Sequence, residues 1–283
     1  MKQIALLALV TGSALAQTPT LASIMARVAE NQAKSQDLRS NFVYDQKQLL
    51  RMLRSNGQLA REEHRRYTVL PAFRGGKKEL TSFEGKYREH NAFINYYHPG
   101  YQYKNLDIDG QLIDQFSNDM MNDKSSRDGI GHDLFPLTYH QQLKYDFRLV
   151  GSERYRGREV YRVAYQPKVK PHLADADDSG SAIWKGEALI DSAEFQPVLV
   201  TSTMALRIPA AVKILLGTDI KGLGFSVSYE KFCDGVWFPV SYGGEFVVRG
   251  LFLYKRTMTV SMVNSDFRRL DVNSSIAYAK EDQ

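Results

Sequence analysis

Apolar positions along the chain fall into two periods. Near the start, Leu21, Ile24, Met25 and Val28 follow the i, i+3, i+4, i+7 spacing of an amphipathic helix, and Thr18-Pro19-Thr20 offers a hydroxyl cap beside proline. The pattern predicts a helix over residues 20–35 whose one apolar face must dock on something. From Phe42 the period becomes two. Residues 42–54 and 58–70 flank Ser55-Asn56-Gly57, and Asn-Gly predicts a type I′ hairpin turn with two positive-φ positions. The arms carry Asp45, Lys47, Arg51 and Arg54, then Arg61, Glu62, Glu63, Arg65 and Arg66, so each strand is expected to have one wet face.

Residues 83–108 read as further strands, clearest at Phe93-Ile94-Asn95-Tyr96-Tyr97, and Asp109-Gly110 reads as a turn. Leu112, Ile113, Phe116, Met120 and Met121 sit near helical spacing, and residues 123–132 are polar and loop-like. The β signal is then dense. Residues 145–153 and 159–167 flank Arg156-Gly157, a polar loop covers 172–181, and 182–191 and 195–203 flank another turn. The segments 225–232, 236–248 and 252–267 close the pattern, with Asp234-Gly235 and Arg249-Gly250 as turns. Strands at hairpin spacing without alternating helices predict a mainly β (α+β) fold built on one large, curved antiparallel sheet. The apolar run 208–216 between sheet halves reads as a core helix or as a flap over an apolar cavity.

Composition narrows the class. Hydrophobic residues make up 43% and charged residues 24% of the 283, which excludes a disordered or collagen-like chain. Sixteen Tyr and fourteen Phe agree with β-sheet. The single cysteine, Cys233, excludes a disulfide framework and a cysteine zinc cluster. The net charge of +5 comes from 37 basic against 32 acidic residues spread along the chain, which does not point to nucleic acid.

The first residues set the compartment. Met1-Lys2, an apolar stretch Ile4–Val10 and Ser13-Ala14-Leu15-Ala16 read as a secretory signal cleaved after Ala16. The expected organisation is a signal peptide over 1–16, one domain over 17–270 and a tail over 271–283, in an exported, periplasmic protein without an ATP pool to draw on.

Catalytic signatures are sparse. There is no Gly-x-Ser-x-Gly elbow, Walker loop or His-Glu-x-x-His. His132-Asp133 and His140 match no zinc spacing, and Asp175-x-Asp177-x-Ser179-Gly180 opens like a calcium loop but has Gly186 where the bidentate Glu belongs. Neither a metal nor a cofactor is expected. Arg154, Arg156, Arg158 and Arg162 form a basic cluster around a turn, readable as a phosphate contact or as an ordinary exposed turn.

The order of several short segments resembles the LolA/LolB-type lipoprotein localisation factors, the related RseB-type sensor domain and the outer-membrane lipoprotein-sorting proteins. The segments are helix 20–35 leading into the 42–70 hairpin, Tyr145–Gly151, Gly157–Tyr161, Trp184–Asp191 with Phe195-Gln196-Pro197-Val198, and Asp234–Pro239. The resemblance implies an unclosed β-barrel, a half-pipe with a few helices packed in or across its mouth, and a cavity that shields lipoprotein acyl chains or another lipid. It implies a carrier without catalysis, acting with a membrane-bound release or acceptor partner. The chain is longer than a compact carrier, with extended early hairpin arms and an insert at 112–140. Candidate cavity residues are Phe42, Tyr44, Trp184, Leu206, Ile208, Ile214, Leu215, Phe238 and Phe246. A one-residue register slip would invert the face assigned to the strand positions among them. Two other readings are an RseB-type regulatory module that binds lipoprotein and signals through a partner protein, and an exported metal-dependent hydrolase using His132, Asp133 and His140.

Overall fold

A computed structural model describes residues 19–70, 77–122, 135–171, 182–205, 218–221, 224–232, 235–250 and 254–270. The expected signal (1–16), the tail from 271, the 172–181 loop with its calcium-like pattern, the 208–216 segment, and His132 and Asp133 lie outside these residues.

The chain enters through α1 (Leu21–Arg39), longer than the 20–35 expected from its apolar stripe. Thr20 caps it by accepting from the Ser23 N–H at 3.2 Å. Ile24, Met25 and Val28 are buried, as their spacing predicts. The helix stays long because its second half docks through polar groups: Gln32 on the Gln196 side chain at 2.8 Å and Arg39 on the Trp237 carbonyl at 2.9 Å.

Four strands follow, β1 (Phe42–Arg54), β2 (Leu59–Leu70), β3 (Lys77–Glu89) and β4 (Ala92–Tyr96). The first hairpin forms where the sequence predicts it, but its turn differs. Gly57 has φ +79° whereas Asn56 does not enter the left-handed region. The Gly57 N–H donates to the Arg54 carbonyl at 2.9 Å and the Arg54 N–H to Gln58 at 2.8 Å. This is a three-residue loop with a glycine bulge, not a type I′ turn. The two positive-φ residues of a type I′ turn occur instead at Arg156 (φ +47°) and Gly157 (φ +82°).

Residues 97–107 form a loop where strand was expected, and α2 (Ile108–Phe116) begins earlier than its apolar positions suggest. Asp109-Gly110 is not a turn but the helix's first turn, because Asp107 is the cap: the Gly110 N–H donates to its carboxylate at 3.0 Å. A π-helical turn (Ser117–Met121) extends α2, and the short α3 (Tyr139–Gln142) precedes the second run of strands.

That run comprises β5 (Tyr145–Tyr155), β6 (Arg158–Pro167), β7 (Trp184–Asp191), β8 (Pro197–Met204), the short β9 (Thr218–Lys221), β10 (Gly224–Lys231), β11 (Trp237–Gly250) and β12 (Tyr254–Arg269). All pairings are antiparallel within one 12-stranded sheet ordered β4-β3-β2-β1-β12-β11-β10-β8-β7-β6-β5, with β9 added against the end of β11. The last strand returns to pair with the first, from Phe42↔Arg269 to Arg54↔Arg256. The path ends at β4 on one side and β5 on the other, so the barrel is not closed. The result is the expected half-pipe, with helices across its concave face. Its hairpin turns divide between two ends. The β1–β2, β3–β4 and β11–β12 turns lie at one end; the β5–β6, β7–β8 and β10–β11 turns lie at the other.

Candidate functional site

The concave face has two chemically different halves. Over β5–β8 and β10–β12 it is an apolar floor. Tyr145, Tyr165, Trp184, Phe225, Tyr242, Phe246, Met258, Val260 and Met262 are buried there in one cluster with Ile24, Met25 and Val28 of α1. Aromatic rings pave its centre. Phe225 stacks on Tyr242 with centroids 5.3 Å apart, and Trp184 meets Phe225 edge-on at 5.6 Å. The Tyr165 hydroxyl is tied down, donating to the Thr201 carbonyl at 2.9 Å; burial pushes its pKa well above the ordinary range. Among the described residues, the Trp184 indole N–H on this floor and the Gln48 side-chain oxygen on β1 are buried without a hydrogen-bond partner.

Over much of β2, and at Gln46 and Gln48 of β1, the same face is polar, while Leu50 and Met52 of β1 continue the apolar cluster. The charges on β2 were expected on a wet face; the structure instead turns Arg61, Glu63 and Arg65 inward, at most 2% exposed. They survive burial because each is neutralised. Arg61 donates to Asp107 at 2.5 Å and to the Tyr96 hydroxyl at 2.6 Å; that hydroxyl donates to Glu63 at 2.6 Å. Arg65 donates to Glu63 at 2.5 Å, to the Ser117 hydroxyl at 2.7 Å and to Asp114 at 3.1 Å. Burial opposes the guanidinium charges, but Tyr96, Asp107 and Glu63 around Arg61, and Glu63 beside Arg65, outweigh it and raise both pKa values. Burial next to Glu63 drives the Tyr96 pKa far up.

Helix α2 joins the halves. Its polar side fixes it to the strands: Asp107 at the cap to Arg61, Asp114 to Arg65, and Asp109 to Arg256 at 2.9 Å and the Tyr254 hydroxyl at 2.7 Å. Its apolar side lays Ile113, Leu112 and Phe116 on the floor, with Phe116 5.1 Å from Phe246 and 5.9 Å from Phe225. It is a cover held by ion pairs to β2 along one border and to β12 at its first turn, with its apolar side resting on aromatic rings.

The structure separates the cavity residues expected from sequence. Trp184 and Phe246 lie on the floor. Phe42, Tyr44 and Phe238 gather at one end of the sheet with Val236, Phe232 and Phe267, the Phe42 and Phe238 rings 5.1 Å apart. Leu206, Ile208, Ile214 and Leu215 lie outside the described residues. Tyr165, Phe225, Tyr242 and Phe116 pave or cover the floor and were not singled out; alternation marks them as strand or helix positions without saying which face is concave.

Of the hydrolase residues only His140 is described, exposed on α3 beside Tyr139. Among the described residues no group of three or more His, Cys, Asp or Glu is placed to hold a metal. The basic turn is an ordinary one. Arg154 pairs with Glu159, Arg156 with Glu230, Arg158 with Asp191, and Arg162 with Glu153 and Glu187. No described helix is long and apolar enough to cross a membrane.

No protein family profile matches the chain, and no curated protein does. Solved structures similar to it include a LolA superfamily protein from Nitrosomonas europaea, at 11% identity over 90% of this chain and 96% of that one, with a TM-score of 0.38. A second is a putative outer membrane lipoprotein-sorting protein domain from Vibrio parahaemolyticus, at 12% identity over 89% and 95% of the two chains, with a TM-score of 0.36. A third is MucB, at 14% identity over 86% and 91%, with a TM-score of 0.26.

Proposed function

We propose that the protein is exported to the periplasm and binds the acyl chains of a lipoprotein, or of another lipid, on its apolar floor, as a carrier in outer-membrane lipoprotein sorting. The observation that carries this reading is the construction of α2: polar groups fix its border, and only Leu112, Ile113 and Phe116 rest on the floor. Lifting three such side chains costs about 4.5–9 kcal/mol at 1.5–3 kcal/mol each. A sixteen-carbon acyl chain leaving water gains on the order of 12 kcal/mol at about 0.8 kcal/mol per methylene. The exchange of helix for lipid is therefore favourable when the chain is long. It is close to balanced when the chain has about eight carbons. Release requires an acceptor, a membrane or a receptor, that binds the lipid better or favours the covered state. Nothing in this cycle asks for covalent chemistry, a metal or a cofactor.

The test is mass spectrometry of an organic extract of the protein purified from the exporting host without detergent, followed by titration with a fluorescent acyl probe. A stoichiometric lipid, or probe binding that weakens when Phe246→Ser makes the floor polar, supports the reading. A clean extract together with no probe binding by the wild type overturns it.

A further inference from the structure

The two ends of the half-pipe treat their positive charges differently. At the β5–β6 end every arginine of the basic turn has a carboxylate partner. At the β1–β2 end Arg256 has one in Asp109, but several other cations have no ion-pair partner among the described residues. Arg249 and Lys255 face each other across the β11–β12 hairpin, both exposed, a like-charged cross-strand pair that costs stability unless something anionic meets it. Arg54 and Arg88 meet beside them, Arg54 donating to the Arg88 carbonyl and Arg88 to that of Leu59, and neither pairs with a described carboxylate. Lys104 lies over the Tyr103 ring, 4.9 Å from its centroid. The acids nearby are Asp107 and Asp109, already engaged by Arg61 and Arg256, the exposed Glu89, and Asp219, which stands opposite Arg249 in the β9–β11 ladder. The end as a whole is cationic.

Large apolar side chains stand exposed at the same end. Edge strand β4 presents Phe93 on one face, under Arg88 at 4.4 Å and Lys86 at 5.5 Å, and Ile94 on the other. Leu106 is 65% exposed in the loop whose Tyr103 stacks on Tyr87 at 4.5 Å. Aromatic and aliphatic groups interleaved with lysine and arginine stems match a bilayer interface, where rings sit at headgroup depth and cations reach the phosphates.

We propose that this end of the half-pipe docks on an anionic membrane surface, with Arg54, Arg88, Lys104, Arg249 and Lys255 meeting lipid phosphates and Phe93, Ile94 and Leu106 entering the interface. The docking stands whether or not the floor binds acyl chains.

The experiment is vesicle flotation with the full protein, comparing phosphatidylcholine vesicles with vesicles in which roughly a third of the lipid is phosphatidylglycerol. Binding to the anionic vesicles is expected, falling as salt rises. The double reversal Arg249→Glu/Lys255→Glu is expected to weaken it at least tenfold, and Leu106→Ser several-fold. Arg154→Glu/Arg156→Glu makes the same net-charge change at the other end and is expected to leave more of the binding than the Arg249/Lys255 reversal does. Equal binding to both vesicle types, equal loss from the two reversals, or no binding at low salt would each overturn the proposal. The last outcome would turn attention to an acidic protein as the partner of this rim. Circular dichroism of each variant separates lost binding from lost fold.

Discussion

Arg61 on β2 and Asp107, the cap of α2, form a fully buried ion pair at 2.5 Å, each 1% exposed, between residues 46 positions apart in the chain. One carboxylate does two jobs. Its Oδ2 neutralises the guanidinium while its Oδ1 accepts the Gly110 N–H at the start of the helix. The cap and the cover are therefore one device: what starts α2 also fixes it to the sheet.

Asp107→Ala should destabilise the protein by about 4 kcal/mol. Loss of the cap contributes roughly 1 kcal/mol, and loss of the nearer carboxylate beside the buried arginine, with Glu63 remaining 3.4 Å away, about 3 kcal/mol. Adding Arg61→Met to Asp107→Ala should recover a large part of the loss, since the under-neutralised charge is gone. Urea unfolding of the single and double variants measures both. A double variant no more stable than Asp107→Ala alone would mean that the cost lies in packing instead of charge.

Glu62 points to the convex face, where Arg51 donates to it at 2.5 Å and Lys86 lies 2.8 Å away. Burial pushes its pKa up, but hydrogen bonds from Lys86, Arg51 and His64 win and hold it at about 2. The folded carboxylate stays ionised where the unfolded one, near 4.5, takes a proton. Its contribution, on the order of 2–3 kcal/mol, is thus complete above about pH 5 and is lost as pH falls from 4.5 towards 2. Glu62→Gln should cost stability at pH 7 and narrow its gap to the wild type by pH 3. Chemical denaturation of both proteins at the two pH values checks this; a gap that does not change with pH would remove the carboxylate as its source.

The hairpin spacing, the first helix and the antiparallel sheet were legible because periodicity and turn residues are local, whereas the open barrel was expected from the family resemblance. The polar half of the concave face was not. Arg61-Glu62-Glu63-His64-Arg65 has no apolar alternation to reveal that its odd members point inward, and the groups that make their burial tolerable, Asp107 and Asp114, lie 46 and 49 residues away. Asp107 itself was hidden by the Asp109-Gly110 pair, which reads as a turn until a cap three residues before the glycine makes it helical. Trp184 and Phe246 could be picked from the floor because they are large and flanked by strand signals. Phe225 and Tyr242, equally aromatic, depended on a register that only the sheet pairing fixes.

Gly186 pairs with Ser202 on the neighbouring strand, and a Cβ at Gly186 would lie 1.8 Å from the Thr201 carbonyl oxygen. Backbone cannot yield there without opening β7 from β8, so Gly186→Ala should cost about 3 kcal/mol and disturb the floor at Tyr165, whose hydroxyl bonds to that carbonyl. Gly85→Ala meets the Tyr96 ring instead. A ring can shift where a ladder cannot, so the loss should be smaller. Denaturation midpoints rank the two, and the reverse order would show that Tyr96, clamped by Arg61 and Glu63, is the more rigid neighbour.

The two sharp hairpins differ in turn type, and substitutions in them should report the difference. In the Arg156-Gly157 turn both residues have positive φ, and at φ +47° the Cβ of arginine crowds the following carbonyl oxygen. Arg156→Asn should raise stability by about 0.5–1 kcal/mol, since asparagine enters the left-handed region more readily. In the first hairpin only Gly57 is left-handed, so Gly57→Ala should cost about 1 kcal/mol. Asn56→Gly should not stabilise that hairpin, as it would in a type I′ turn. Asn56 accepts the Gln58 N–H at 3.0 Å in a conformation that favours a side chain, and glycine would lose the bond and add chain entropy to the unfolded state. Thermal unfolding of the three variants separates the turn types. A stabilised Asn56→Gly protein would mean that residue 56 adopts positive φ in solution and that the bulged loop is the wrong description.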